Sequence, residues 1–126
     1  MATEIKNTDN TLLKMIRGNY LKFNFTIEDD STPAVPLDLT GGTLWWTVKN
    51  HYNDADDDAL ILKSNTTHDD PTAGETSMES LPEDTIGLIV DKLYYFDFTF
   101  VTVDLKPITL ARGNFQGLFN AKGAIV

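Results

Sequence analysis

The chain has 126 residues and 14.1 kDa, the size of one ordinary domain, and its 41% hydrophobic and 10% aromatic content fills an interior and excludes wholesale disorder. Ten Lys and Arg, scattered singly, against 19 Asp and Glu give a formal net charge of -9, so phosphate backbones and anionic lipid are repelled. Cysteine is absent, which excludes disulfides, thiolate metal sites and cysteine nucleophiles.

The opening residues, Met1 to Lys6, lack the basic-then-apolar pattern of a signal peptide, and no apolar run approaches the ~18 to 20 residues that span a bilayer. The expectation is a protein made in a cytoplasm, with no membrane and no nucleic-acid partner. Residues 1–15 read as a poorly structured N-terminal segment, 16–120 as one domain and 121–126 as a C-terminal tail. Sequons at Asn24 and Asn65 read as chance, since the first falls inside a predicted strand.

From Tyr20 to Glu28, Leu21, Phe23, Phe25 and Ile27 alternate with Lys22, Asn24 and Thr26, the period of two that marks a strand with one buried face. Asp29 to Pro33 is turn chemistry and ends it. A short extended stretch after Pro36 closes at Gly41-Gly42, where paired glycines accept positive φ. Thr43 to Lys49 is the next strand, with Leu44, Trp46 and Val48 on one face and Trp45, Thr47 and Lys49 on the other. Trp46 is the expected central core aromatic.

Asn50 to Ala59 is a polar, acidic connection, Ala59 to Lys63 a short apolar strand, Ser64 to Gly74 a polar loop and Glu75 to Ser80 a weaker extended segment. Leu81 to Thr85 predicts a single helical turn near 82–86, because Pro suits a first-turn position and Glu83 and Asp84 favour a helix N-terminus. The strongest β signal is Leu93 to Val103, in which Tyr94, Phe96, Phe98 and Phe100 alternate with Tyr95, Asp97, Thr99 and Val101. Asp104 to Pro107 is its hairpin connection, Ile108 to Ala111 the return strand, and Asn114 to Asn120 a last strand carrying Phe115 and Phe119.

This pattern predicts an all-β fold: an antiparallel β-sandwich of about 7 to 8 short strands, a partly closed barrel sharing the same alternation. The expected core is Phe23, Phe25, Ile27, Leu44, Trp46, Val48, Tyr94, Phe96, Phe98, Ile108 and Leu110.

Candidate chemistry is sparse. Asp54, Asp56 and Asp58 alternate as the first ligands of a calcium loop do, but Ala59 stands where that loop needs glycine and Asn65 where it needs a bidentate glutamate. The stretch therefore reads as a solvated acidic loop, with calcium as the alternative and no cofactor as the main expectation. His51 and His68 would build a zinc or iron site only if their loops met, which linear spacing does not require. No Gly-x-Ser-x-Gly elbow and no Gly-rich phosphate loop occurs, so the reading is not an enzyme. If Trp46 is buried, Trp45 faces outward as an anchor for a protein or sugar, or lies packed under a loop; Tyr95 and Val101 share that choice. The small apolar end carrying Ile125 and Val126 is a further candidate partner contact.

The series Arg17-Gly18-Asn19, Phe23-Asn24-Phe25, Asp38-Leu39-Thr40-Gly41, Val48-Lys49, Tyr94-Tyr95-Phe96-Asp97 and Gly113-Asn114-Phe115 resembles small tailed-phage virion proteins, in particular the immunoglobulin-like N-terminal domain of baseplate upper proteins. The resemblance runs from about Ile16 to Phe119. It implies an immunoglobulin-like sandwich and a bacteriophage structural role at a tail, baseplate, neck or capsid surface. Its implied partners are other virion proteins and copies of itself, as a homo-oligomer in the assembled virion. The competing reading is a carbohydrate-binding or adhesin-type module, motivated by Trp45, the aromatic strand and the acidic loop.

Overall fold

The computed structural model describes residues 2–4, 8–29 and 31–118. The described residues form eight strands: β1 (Ala2–Glu4), β2 (Thr8–Ile16), β3 (Leu21–Thr26), β4 (Thr43–Lys49), β5 (Ile61–Asn65), β6 (Glu75–Ser80), β7 (Leu93–Val101) and β8 (Pro107–Leu118). One helical turn, α1 (Pro82–Thr85), lies between β6 and β7, and no helix among the described residues is long and apolar enough to cross a membrane.

The strands form a three-stranded sheet, β1-β3-β6, and a five-stranded sheet, β2-β8-β7-β4-β5. The run β8-β7-β4-β5 has the G-F-C-C′ order of a variable-type immunoglobulin sandwich, with β3 and β6 in the places of strands B and E. Pairing is antiparallel except for β1 on β3 and β2 on β8, which run parallel. The second of these corrects the expectation that 1–15 is poorly structured, because Thr8–Ile16 is a strand whose Leu13 stands opposite Phe115. Residues 119–126, including Phe119, Ile125 and Val126, lie outside the described residues.

Alternation sends one face of each sheet inward, and the inward side chains are large. Phe98 on β7 is the hub: its ring centroid lies 5.1 Å from Phe23 and 4.8 Å from Phe25 across the sandwich, and 5.7 Å from Trp46 beside it in a stacked arrangement. Trp46 in turn meets Phe23 edge-on at 5.5 Å. Of the expected core, ten residues are buried and Ile108 is partly buried, while Leu13, Met15, Leu39, Ile61, Met78, Leu88, Phe100, Ala111 and Phe115 complete it.

The two predicted strands 108–111 and 114–120 are one strand, β8, irregular where Phe98 pairs Ala111 but Thr99 pairs Thr109. The extra residue turns Leu110 and Ala111 both inward, which breaks the period of two and mimics a strand end in the sequence. At the entry to β4, Gly41 takes φ 79° to close the turn, and a side chain on Gly42 would collide with the Phe100 ring.

Side chains close the space between the sheets. Lys63 Nζ on β5 donates to the Glu79 carbonyl of β6 at 2.7 Å and pairs with Asp84 at 2.8 Å, and Asn65 Nδ2 donates to the Ser77 carbonyl at 2.7 Å. At the β2–β3 corner, Arg17 Nη1 donates to the carbonyls of Ile86 and Leu88 at 3.1 and 3.0 Å, while the buried Gly18 N–H donates to Thr85 Oγ1 at 2.8 Å.

The packing yields a prediction. Phe98→Ala lowers unfolding free energy by about 3–5 kcal/mol in a urea titration, the usual cost of emptying a large aromatic site. Trp46→Phe costs clearly less, because the buried Trp46 indole N–H has no hydrogen-bond acceptor among the described residues and phenylalanine discards that unmet donor.

Candidate functional site

Because Leu44, Trp46 and Val48 on β4 and Tyr94, Phe96, Phe98 and Phe100 on β7 point inward, their odd-numbered neighbours stand on the outer face of the five-stranded sheet. Register places them in rows. Trp45 lies opposite Thr99 and Ser64, Thr47 opposite Asp97 and Leu62, and Lys49 opposite Tyr95. On the other side of β7, Asp97 faces Arg112 and Tyr95 faces Asn114.

Two shallow grooves run over this face and meet at Thr47 and Asp97. The larger, of about 370 Å³, is walled by Tyr52 and Tyr95 with Lys49, Asp97, Arg112 and Asn114 among its polar groups. The smaller, of about 320 Å³, is lined by Trp45, Leu62 and Val101 together with Asp56 and Asp97. Trp45 and Val101 thus share one groove and Tyr95 lines the next. Trp45 is half-buried on this outer face and Tyr95 is 41% exposed.

Asp97 sits between the grooves. Partial burial pushes its carboxyl above the usual range; the Thr99 hydroxyl, which donates to it at 3.2 Å, and the charges of Lys49 and Arg112 offset this only in part, and Asp56 adds to it. Lys49 Nζ is already engaged, 2.9 Å from Asp56 Oδ1 and 2.8 Å from the Asp54 carbonyl.

The acidic loop is organised by these contacts. Asp54 accepts the His51 backbone N–H at 3.1 Å, Asp56 pairs with Lys49, and Asp58 closes a 3-10 turn through its own N–H. No group of three or more His, Asp or Glu side chains among the described residues is arranged to hold a metal ion.

His51 is exposed, whereas His68 is a structural pin that its polar surroundings in sequence conceal. Its Nε2 lies 2.9 Å from the Gly42 carbonyl and its Nδ1 2.8 Å from Thr76 Oγ1, with the ring edge-on to Phe100 at 5.5 Å. The carbonyl can only accept, so Nε2 carries a proton, and neither nitrogen is left for a metal.

The groups that sequence reasoning did not single out are Thr47, Leu62, Asp97 and Arg112. Alternation placed Asp97 on the outer face of its strand, but its neighbours arrive only through the β4–β5, β4–β7 and β7–β8 registers.

Asp97 generates a pH prediction. A carboxyl whose pKa is higher folded than unfolded binds protons better in the folded state, so its charge opposes folding. That penalty is absent below the unfolded pKa and grows to full size as pH rises past the folded one. Asp97→Asn therefore raises the thermal midpoint at pH 7, and the gain over wild type vanishes in scans run below the normal carboxylate range.

No protein-family model matches the chain, and no curated protein matches it.

Proposed function

We propose that the chain is a non-enzymatic structural protein of a tailed-phage virion, a tail, baseplate, neck or capsid accessory subunit, that assembles through the outer face of its five-stranded sheet. One observation carries the assembly part. A sandwich face turned to water is ordinarily polar, yet this one presents Leu12, Ile16, Leu93 and Tyr95 exposed at 53, 41, 51 and 41%. Register groups them: Leu12 and Tyr95 flank Asn114, and Lys14 and Leu93 flank Gln116. Aliphatic and aromatic side chains set among amides and single charges are the composition of a protein interface. The virion part is supported by the resemblance of the Arg17-Gly18-Asn19 to Gly113-Asn114-Phe115 series to baseplate proteins.

Quantitative mass spectrometry of particles sedimented from the native source tests this reading. The expected result is the chain at fixed stoichiometry with capsid or tail proteins; its absence from the particles overturns the proposal. The double variant Leu12→Ser, Leu93→Ser changes only exposed side chains, so it folds as wild type by circular dichroism and is incorporated less.

A second reading, a carbohydrate-binding or adhesin-type module, is favoured by the groove walled by Tyr52 and Tyr95, since flat aromatic faces beside Asp97, Arg112 and Asn114 offer a sugar ring both stacking and hydrogen bonds. A broad glycan panel that leaves tryptophan fluorescence and the melting temperature unchanged removes it.

A further inference from the structure

The two grooves differ in charge. Lys49 and Arg112 both line the larger one, so the carboxylate of Asp97 has cations on that side. Among the described residues no cation lines the smaller groove: its charged groups are the carboxylates of Asp56, paired with Lys49 outside the lining, and Asp97, and its walls are the indole of Trp45 and the aliphatic ends of Leu62 and Val101. An apolar channel ending in two carboxylates whose charge is offset only in part matches an alkyl stem carrying a cation.

We propose that the smaller groove is a socket for a lysine or arginine side chain of a partner protein, with its stem against Trp45, Leu62 and Val101 and its cation between Asp56 and Asp97. The proposal rests on the assembly reading above and names the chemistry of the partner's contact.

Three further observations converge on it. The chain carries a formal net charge of -9, so long-range attraction favours a basic surface on the partner. Asp56 is already paired to Lys49, but its side chain is 74% exposed and retains room for a second cation. Asp97 pays for its partial burial as an anion, and a cation arriving from the groove side relieves that cost, so occupancy is favoured by a strain present in the free protein. The register fixes the geometry: Thr47 and Asp97 are opposed on neighbouring strands, with Leu62 next across the sheet.

The test uses the isolated full chain labelled with 15N, titrated with Nα-acetyl-lysine methylamide and Nα-acetyl-arginine methylamide, with Nα-acetyl-norleucine methylamide as the neutral control. Expected is a saturable shift of the Trp45 indole N–H resonance, with the buried Trp46 resonance still, at a Kd on the order of 1 mM for so small a probe. The norleucine probe binds about tenfold more weakly or not at all, and Asp97→Asn and Asp56→Asn each weaken the cationic probes about tenfold. Asp97→Asn is expected to be the more stable protein, so a lost response there reports binding and not unfolding. Equal binding of norleucine, unchanged binding by both variants, or no shift up to the solubility limit overturns the proposal.

The titration and the particle experiment fail separately. A chain present in particles that ignores the cationic probes retains the assembly reading without the socket. A chain absent from particles that binds them retains the socket without the virion.

Discussion

The contact on which the rest of the structure depends is the meeting of Phe98 with Phe23 and Phe25 across the sandwich, reinforced by the stacking of Phe98 on Trp46. Three of these four rings are fully shielded from water and the fourth very nearly so, and they belong to strands of both sheets, so the contact holds the layers in one relative position. Side chains alternate along a strand, so fixing Phe98 inward fixes Asp97 and Thr99 outward, and fixing Trp46 inward fixes Trp45 and Thr47 outward. The composition of the outer face is therefore a consequence of the core. A slip of one residue would bury Asp97 and expose Phe98, and both changes oppose it.

Holding the layers is not enough, because a sandwich leaves strand edges with unpaired backbone groups. At the β5–β6 seam these groups are met by side chains, with Lys63 and Asn65 donating to the carbonyls of Glu79 and Ser77, and with His68 joining Gly42 to Thr76 a little further along. At the corner between β2 and β3, Arg17 binds two carbonyls of the segment after α1. Polar residues in loops and at a strand end thus do structural work here, and Arg17, Asn65 and His68 are poor candidates for ligand chemistry despite being the residue types from which binding sites are built.

How much of this was legible in the sequence depends on the range of the interaction that fixes each feature. β3, β4, β6 and β7 were readable because Phe23-Asn24-Phe25, Trp45-Trp46 and the Tyr94 to Phe100 alternation are local signals. β2 was not, because Leu12 and Ile16 are exposed while Leu13 and Met15 are buried, so its apolar residues crowd together without clean alternation. Its partner β8 lies at the far end of the chain, and no local rule pairs them. β8 was split in two by its irregularity, since two consecutive inward residues and Gly113 together read as a stop. The site followed the same division. Trp45, Tyr95 and Val101 were identifiable from alternation, whereas the company they keep, Leu62 and Asp56 above all, is set by register between strands.

Asp97 shows why such a face is informative. A partly buried carboxylate in the middle of a sheet is a poor choice for stability alone, since threonine or asparagine would fit the same position without a desolvation cost. Its surroundings divide that cost unequally: Lys49 and Arg112 act on one side, and the groove under Trp45 lies open on the other. Asp84, by contrast, has its charge met closely by Lys63 and the Leu81 N–H. The two aspartates differ accordingly: Asp84 is satisfied within the fold, whereas Asp97 keeps a desolvation cost that Lys49, Arg112 and Thr99 offset only in part, beside an open groove.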